Sequence, residues 1–322
     1  MNLRIRDDPD PAQGRRDHWL GVDAGATHTT AAVFDPARRV RWRGESGPID
    51  HLAGIAGERR MRTTLATLVG SVPPDLRASV GCAAVGLSGM SIPGKADLCR
   101  RALSALMPRA RIRITSDLVA AVWGATGGED GMILLCGTGS AALGLKAGAR
   151  IRAGGHGSQF GDEGSAYAIA AAGIRAAIRA AEDRGPATTL VADLARAGGV
   201  DRVDLIAGTA FAQEWDAGRV AALARVVASA AGGGDAVARA ILREAARDLT
   251  ELGAAVLRRM GTAVPVYLVG RGWLLSPALG RSVRRRLRGR FPGALSFPRN
   301  HGDGALGAVL WAAAERDAGG DG

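Results

Sequence analysis

Residues 19–34, WLGVDAGATHTTAAVF, decide the fold class. An apolar run ends at Asp23, small residues follow, and a second apolar run begins at Thr29. Two such runs joined by a glycine-bearing turn predict a β-hairpin. The segment RRVRWRG (38–44) predicts a third strand, and SVGCAAVGLSG (79–89) predicts a buried fourth strand because it is apolar and bounded by glycines.

The same order of elements occurs twice along the chain. Helices predicted over 57–68 and 95–106, a strand at IRIT (112–115) and a helix opened by Asp117 complete the first set. The second set has strands at GMILLCG (131–137), AALGLK (141–146) and 149–153, then helices over 164–261 that break at 185–186, 198–199 and 232–234. A strand at 264–270 and helices at 276–287 and 305–317 follow. The sequence therefore predicts an α/β protein with two lobes and a ligand cleft between them.

Length and pattern together suggest three segments. A chain of 322 residues exceeds the usual size of one core. We expect a disordered leader at 1–17, an N-terminal lobe at 18–120, and a C-terminal lobe with a helical insertion at 121–322. This division allows the last helix to pack back on the N-terminal lobe.

The net charge of +11 raises the question of nucleic-acid binding. Among the 42 basic residues only Lys95 and Lys146 are lysines, which indicates coding bias toward arginine, because a phosphate-binding surface has no reason to exclude lysine. No apolar run approaches the roughly 18–20 residues of a membrane span. The N-terminus lacks a signal-peptide core, and the three cysteines form no disulfide framework. We expect a cytoplasmic protein that binds neither nucleic acid nor membrane.

Two turns after buried strands have the composition of phosphate-binding loops. Asp23-Ala24-Gly25-Ala26-Thr27 combines a carboxylate that suits Mg²⁺ with small residues and a hydroxyl. Gly137-Thr138-Gly139-Ser140 offers amides and hydroxyls to an anion in the same way. The alternative for each is an ordinary tight turn.

Two further segments carry polar groups at element ends. Asp117 follows a strand and opens a helix, so it is either the helix N-cap or a general base. The loop GGHGSQFGDEGS (154–165) suits hydrogen bonding to a polar ligand better than packing. The alternative for the loop is an acidic helix N-terminus that complements the helix dipole.

The segment GMSIPGKA (89–96) resembles a P-loop, G-x-x-x-x-G-K-[ST], but departs from it twice. Ala96 replaces the hydroxyl that binds Mg²⁺, and Pro93 removes a backbone N–H from the phosphate cradle. We therefore do not expect a P-loop.

The ordered set DAGAT, TSD, GTGS, GGxGxxxGDEGSA and LVGRG resembles the group of N-acetylglucosamine kinases and BadF/BadG/BcrA/BcrD ATPases. This group belongs to the actin–hexokinase–Hsp70 superfamily, and the resemblance extends from about residue 19 to 314. It implies a two-lobed ribonuclease H-like (actin-like ATPase) fold with mixed sheets flanked by helices. It also implies ATP and Mg²⁺ as cofactors and a sugar as the substrate.

The resemblance also assigns roles to matching residues. Asp117 would be the base for the sugar 6-hydroxyl, and Asp23 would face Mg²⁺. The expected ATP contacts are Asp23, Gly25, Ala26, Thr27, Gly137, Thr138, Gly139, Gly270 and Gly272. The expected sugar contacts are Asp50, His51, Ser88, Gly89, His156, Gln159, Asp162 and Glu163.

Five residues depart from the family pattern, and these departures weaken the assignment to N-acetylglucosamine rather than the prediction of phosphoryl transfer. Ala24 and Ala26 replace glycines, which is a mild change. Asp50 replaces an asparagine, His156 stands where tryptophan is common, and Arg271 interrupts a pair of glycines.

The sequence thus predicts a hexosamine 6-kinase, for N-acetylglucosamine or glucosamine. Three alternatives remain: an activator of the BadF type, an inactive sugar sensor, and a nucleic-acid binder. The activators hold an iron–sulfur cluster through cysteines, whereas Cys82 and Cys136 lie in apolar strands and Cys99 in a helix. The Ala-rich helices of the second half offer faces for a homodimer.

Overall fold

The computed structural model describes residues 16–25, 27–49, 55–293, 295–299 and 302–318. Their contacts divide into two compact units. The first comprises the described residues of Met1–Glu129 and Gly302–Gly322, and the second comprises those of Asp130–His301. The boundary between residues 120 and 121 that the sequence suggested would fall inside the helix Asp117–Thr126 of the first unit. The expected leader lies outside the described residues, except for Arg16 and Asp17.

The first unit contains a five-stranded mixed sheet. Its strands are β1 (His18–Ala24), β2 (Thr29–Phe34), β3 (Val40–Ser46), β4 (Val80–Leu87) and β5 (Arg111–Ser116), in the order β3-β2-β1-β4-β5. Strands β1, β2 and β3 pair antiparallel, whereas β4 lies parallel to both β1 and β5. The turn between β1 and β2 closes with a hydrogen bond of 3.1 Å from the Gly25 amide to the His28 carbonyl.

Among the described residues of the first unit there are five helices: α1 (Ile55–Ser71), α2 (Pro74–Ala78), α3 (Lys95–Leu106), α4 (Asp117–Thr126) and α12 (Gly304–Ala318). A buried cluster joins β1, α1 and α3 through Leu20, Met61 and Leu103. The sequence did not predict α2, a five-residue helix with proline in its first turn, because it is shorter than the window that reveals helical periodicity.

Helix α12 packs on α4 and β1 through contacts that require glycine. A Cβ at Gly21 would overlap the carbonyl oxygen of Ala305, and one at Gly307 would overlap that of Ala120. Backbones can approach this closely only where no side chain intervenes. The start of α12 therefore lies beside the end of β1.

The second unit contains a four-stranded sheet. Its strands are β6 (Gly131–Cys136), β7 (Ser140–Lys146), β8 (Ala149–Gly154) and β9 (Val266–Val269), in the order β8-β7-β6-β9. Strands β6, β7 and β8 form an antiparallel meander, and β9 lies parallel to β6. In each unit, three antiparallel strands are thus followed by a parallel strand beside the first of them, and the first unit adds β5 beyond β4; the repeated order of elements predicts this resemblance.

The predicted helical region lies between β8 and β9. It comprises α5 (Ala166–Ala181), α6 (Leu190–Gly198), α7 (Ile206–Ala212), α8 (Ala217–Ala222), α9 (Ala224–Gly232) and α10 (Ala236–Met260), and α11 (Pro277–Arg290) follows β9. The predicted glycine positions do interrupt the helices, since α6 ends at Gly198 and α9 at Gly232. One buried cluster includes Leu134, Ile169, Val227 and Leu249.

Within the described segments, no single helix is long and apolar enough to cross a membrane. Helices 217–232 and 236–260 pass that test only as a pair, by length and composition, and they are bent by 118° at the break. Cys82, Cys99 and Cys136 are buried free thiols, in agreement with the expected absence of a disulfide framework.

Candidate functional site

The carboxyl ends of three parallel strands meet at one edge of the first sheet. In register, Asp23 of β1 lies beside Gly86 of β4, and Gly86 lies beside Thr115 of β5. Asp23 near the end of β1 and Asp117 after β5 are therefore brought to the same edge, as expected for parallel neighbours.

The carboxylate of Asp23 is in an acidic environment. Burial, followed by the charges of Asp117 and Asp303, raises the pKa of Asp23 to about 7. Sequence reasoning missed Asp303. The only local signal was an Asp-Gly pair before the apolar helix of residues 305–317, and such a pair also fits an ordinary helix start.

Asp117 occupies the first turn of α4, but Ser116 is the N-cap. The Ser116 hydroxyl accepts a hydrogen bond of 3.2 Å from the Val119 amide, while Oδ1 of Asp117 accepts one of 2.9 Å from the adjacent Leu118 amide. The alternative that made Asp117 the cap is therefore wrong. Ser116 supplies the cap of α4, and the Asp117 carboxylate adds one hydrogen bond within the first turn.

The first phosphate-loop candidate is held by backbone hydrogen bonds. The Gly25 carbonyl accepts a bond of 3.3 Å from the Ile49 amide, and the Thr27 side chain is exposed with its hydroxyl 3.2 Å from Nδ1 of His28. Ala26, Asp50 and His51 lie outside the described residues.

Ser88 and Gly89 follow β4 directly. The Ser88 amide donates a hydrogen bond of 3.0 Å to the Ala24 carbonyl, which ties it to the end of β1. Its hydroxyl is buried and has no hydrogen-bond partner in the described part of the chain. Buried polar atoms are usually satisfied, so this orphan hydroxyl suits a ligand contact.

In the second unit, the loop 137–140 closes on the start of α5. The Gly137 amide donates to the Gly139 carbonyl (2.8 Å), and the amides of Ala166 and Tyr167 donate to the carbonyls of Gly137 (3.0 Å) and Thr138 (3.2 Å). These backbone hydrogen bonds fit a phosphate-binding loop, and they equally fit an ordinary tight turn.

Asp162 contacts this same loop. It adopts a left-handed conformation with φ of 60°, and its Oδ1 accepts a hydrogen bond of 3.2 Å from the Ser140 amide. The side chains of His156, Gln159 and Glu163 are exposed, and the Glu163 carbonyl accepts a bond of 2.7 Å from the Ser140 hydroxyl. The motif GDEGS therefore supports the loop, a role that sequence reasoning did not assign.

Gly270 and Gly272 follow β9 and lie against the end of β6. A Cβ at Gly270 would overlap the Cys136 carbonyl oxygen, and one at Gly272 would lie 2.5 Å from the Cys136 sulfur. Both predicted nucleotide-site glycines are thus next to the residue that precedes the 137–140 loop. Arg271, between them, is exposed.

The donor set of the first unit fits Mg²⁺ held largely through water. Among the described residues, no group of three or more His, Cys, Asp or Glu side chains is arranged to ligate a metal directly. Mg²⁺ typically keeps several waters and takes one or two carboxylates, and Asp23 with Asp117 nearby meets that need.

Residues 89–96, which resemble a P-loop in sequence, do not form one in the structure. Helix α3 begins at Lys95, after Gly94, and the Lys95 side chain is only 6% exposed. A P-loop lysine must reach the phosphates of its ligand, so this burial agrees with the expected absence of a P-loop.

Known proteins resemble most of this chain. The model of the BadF/BadG/BcrA/BcrD ATPase family matches residues 20–312. An N-acetylmuramic acid/N-acetylglucosamine kinase of Clostridium acetobutylicum is 28% identical over 239 residues, covering 71% of this chain and 76% of the relative. An N-acetyl-D-glucosamine kinase of Dictyostelium discoideum is 25% identical over 257 residues, covering 76% and 80%.

A solved structure of a related kinase has the same fold. The provisionally named N-acetylglucosamine kinase of Chromobacterium violaceum superposes with a TM-score of 0.69 and 27% identity, covering 91% of this chain and 98% of that one. The predicted ribonuclease H-like, actin-like ATPase fold is confirmed by this structural neighbour and by the two mixed sheets.

Proposed function

Because the chain belongs to the BadF/BadG/BcrA/BcrD ATPase family, we propose that it is an ATP-dependent kinase for the 6-hydroxyl of an amino sugar. The family uses ATP. N-acetylglucosamine is the first candidate substrate, and the names of the two relatives support it. Glucosamine is the second candidate, because the carboxylate of Asp50, where the family has an asparagine, suits a cationic amine.

The observation that carries the proposal is the position of Asp117. It follows β5 at the sheet edge where β1 ends, close enough to Asp23 to raise the pKa of that carboxyl. The Asp117 carboxylate, whose Oδ1 accepts from the Leu118 amide, would align the sugar hydroxyl and accept its proton as the new P–O bond forms.

Phosphoryl transfer needs positioning and charge neutralisation more than covalent help from the protein. In the first unit, Asp23 would hold Mg²⁺ through water, and Gly25 and Thr27 would contact phosphate oxygens. The ion, when bound, neutralises charge on the phosphates. In the second unit, Thr138 and Gly139 would contact ATP phosphates, and Gly270 and Gly272 would admit the adenosine.

The activator alternative is opposed by the cysteines. Burial raises the pKa of Cys99 and of Cys136 to about 12, so neither side chain is disposed to act as a thiolate ligand. Cys82, the remaining cysteine, is buried as well. A cytoplasmic location and a homodimer remain predictions.

The test is a phosphotransfer assay with ATP, Mg²⁺ and a panel of N-acetylglucosamine, glucosamine, N-acetylmuramic acid and glucose. We expect a product heavier by one phosphoryl group, with the phosphate on the 6-oxygen. Asp117→Asn should lower kcat by about 10²–10⁴-fold while ATP binding persists. Asp97→Asn, an exposed carboxylate in the first turn of α3, is the matched control.

The outcomes separate the alternatives. Sugar binding without transfer would favour the sensor, and ATP hydrolysis that no sugar stimulates would favour the activator. Wild-type kcat in Asp117→Asn would eliminate the proposed base. Tight binding to random duplex DNA at about 150 mM salt, with a steep salt dependence, would favour the nucleic-acid alternative.

A further inference from the structure

The carboxylate of Asp303 is held from two sides by its own chain. Oδ1 accepts hydrogen bonds from the amides of Ala305 (3.0 Å) and Leu306 (3.1 Å), which makes Asp303 the cap of α12. Oδ2 contacts the guanidinium of Arg43 on β3. Since both oxygens are engaged, Asp303 is better suited to hold a structure in place than to ligate a metal.

The backbone around Asp303 touches the helix that begins with Asp117. A Cβ at Gly124 of α4 would overlap the Asp303 carbonyl oxygen, and one at Gly302 would lie 2.6 Å from the amide nitrogen of Ala125. The turn 302–304 therefore lies directly on α4, with no side chain between the two backbones.

The other side of the turn touches Asp23. A Cβ at Gly304 would overlap Oδ2 of Asp23, so the Gly304 backbone lies directly against that carboxylate. One short turn thus contacts both the Asp23 side chain and the helix that carries Asp117.

We propose that Asp303 is a positioning residue of the phosphoryl-transfer site, which fixes the turn 302–304 and through it the relative placement of Asp23 and Asp117. This inference rests on the proposed kinase function. The cap fixes the turn to α12, and the contact with Arg43 fixes it to β3, the edge strand of the sheet that carries Asp23.

The Arg43–Asp303 ion pair is suited to positioning rather than to overall stability. Both side chains are partly exposed, 43% for Arg43 and 30% for Asp303, and ion pairs of this exposure stabilise a fold little. Removal of the pair should therefore leave thermal stability nearly unchanged while it alters the geometry on which catalysis depends.

The test compares kcat, KM and melting temperature for Asp303→Ala, Asp303→Asn and Arg43→Gln. Asparagine is a good N-cap but lacks the charge that Arg43 contacts. We expect kcat per folded molecule to fall by roughly 10²-fold in Asp303→Ala, because small misplacements of catalytic groups cost about that much. Asp303→Asn and Arg43→Gln should show smaller losses, with KM for ATP and for sugar changed less than kcat.

Glu58→Gln is the matched control, since Glu58 pairs with Arg62 in an exposed ion pair of the same unit. It should leave kcat unchanged. A kcat per folded molecule that equals wild type in Asp303→Ala would overturn the inference, as would losses that follow only the fraction of unfolded protein.

A second readout needs no substrate. In crystal structures of wild type and Asp303→Ala, which lacks both the cap and the contact with Arg43, the inference predicts a displaced Asp23 carboxylate or first turn of α12, and superposition of both would overturn it. Failure of the kinase proposal would instead appear as an inactive wild type, so the two failures are distinguishable.

Discussion

The backbone of Gly139 lies against the carboxylate of Asp162. A Cβ at Gly139 would lie 2.7 Å from Oδ2 and 2.8 Å from Oδ1, and the next amide, that of Ser140, donates a hydrogen bond to Oδ1. Asp162, 22 positions after Ser140 in the chain, thus forms one side of the 137–140 loop. This relationship gives Asp162 a measurable role in the geometry of that loop.

Asp162→Ala should weaken the binding of ATP more than the binding of the sugar. Alanine removes the acceptor for the Ser140 amide and is less tolerant than aspartate of a positive φ. Hydrogen bonds to charged groups contribute about 1.5–3 kcal/mol, so KM for ATP should rise roughly tenfold or more. Steady-state kinetics with each substrate varied in turn will measure this.

Two variants make the Asp162 result interpretable. Asp162→Asn keeps an acceptor and the left-handed conformation, so its effect should be smaller. Asp183→Ala replaces an exposed aspartate of the same unit with φ of 54° and should leave both KM values unchanged. A rise in KM for sugar alone would instead support the sugar contact that the family resemblance implies.

Gly272→Ala should damage both stability and ATP binding. The added Cβ would lie 2.5 Å from the Cys136 sulfur and 2.7 Å from the Cys136 carbonyl oxygen, within a buried contact. Overpacking of this kind costs about 1–3 kcal/mol. Thermal unfolding and calorimetric titration with ATP will detect the two effects.

The control for Gly272→Ala is Gly289→Ala, in helix α11 of the same unit. A Cβ at Gly289 would meet nothing within 4 Å, and alanine is the better helix former. This variant should keep or raise the melting temperature. Equal behaviour of the two variants would contradict the close approach between Gly272 and Cys136.

Gly304→Ala should lower turnover without unfolding the protein. The new methyl group would displace the Asp23 carboxylate, and a misplacement of about 1 Å can cost on the order of 10²-fold in rate. Single-turnover kinetics at saturating ATP and sugar will report the loss. Gly70→Ala on α1, where a Cβ meets nothing within 4 Å, should retain full activity, and full activity of Gly304→Ala would disprove the contact.

Asp235 should make stability depend on acidic pH. Burial pushes the pKa of Asp235 up, but hydrogen bonds from the amides of Ala238 and Thr189 and the hydroxyls of Thr188 and Thr189 outweigh it and hold the pKa below its usual value. A lowered pKa in the folded state stabilises the fold above the unfolded pKa of about 4. This stabilisation is lost as the pH falls through the folded pKa.

Asp235→Ala should therefore lower the free energy of unfolding by about 0.5–2 kcal/mol at pH 7, the range for a lost N-cap, and by less near pH 3. Urea unfolding at both pH values will measure the difference. Asp216 caps the short helix α8, where its carboxylate accepts a hydrogen bond from the Arg219 amide. Asp216→Ala should lower the free energy of unfolding by less than Asp235→Ala does. An Asp235→Ala effect that is the same at both pH values would argue against a role for the carboxylate charge.

Strands and helices were predictable because their signals are local. The apolar runs that end at Asp23 and Cys136, and the helix that opens at Asp117, occur in the structure at the expected positions. Periodicity of two or 3.6 residues and glycine-bearing turns are properties of neighbouring residues. Helix α2 was not predicted, because five residues are too few to show the 3.6-residue periodicity of a helix.

The candidate site was only half predictable. Composition alone singled out the segments around Asp23, Asp117 and residues 137–140, because carboxylates and hydroxyls after buried strands are unusual unless a ligand needs them. The partners of these segments were not predictable. Asp303 lies 280 residues after Asp23 in the chain, and no local pattern distinguishes it from an ordinary helix cap.

The sequence by itself determined the order of the elements, the two sets of antiparallel strands and the identity of the polar residues at strand ends. Only the tertiary structure decided that α12 joins the first unit, that burial together with Asp117 and Asp303 raises the pKa of Asp23, and that Asp162 supports the loop at Gly139. The reason is physical, since burial, Coulomb interaction and close backbone approach depend on distance in space. For residues far apart in the chain, such as Asp23 and Asp303, the sequence separation does not reveal that distance.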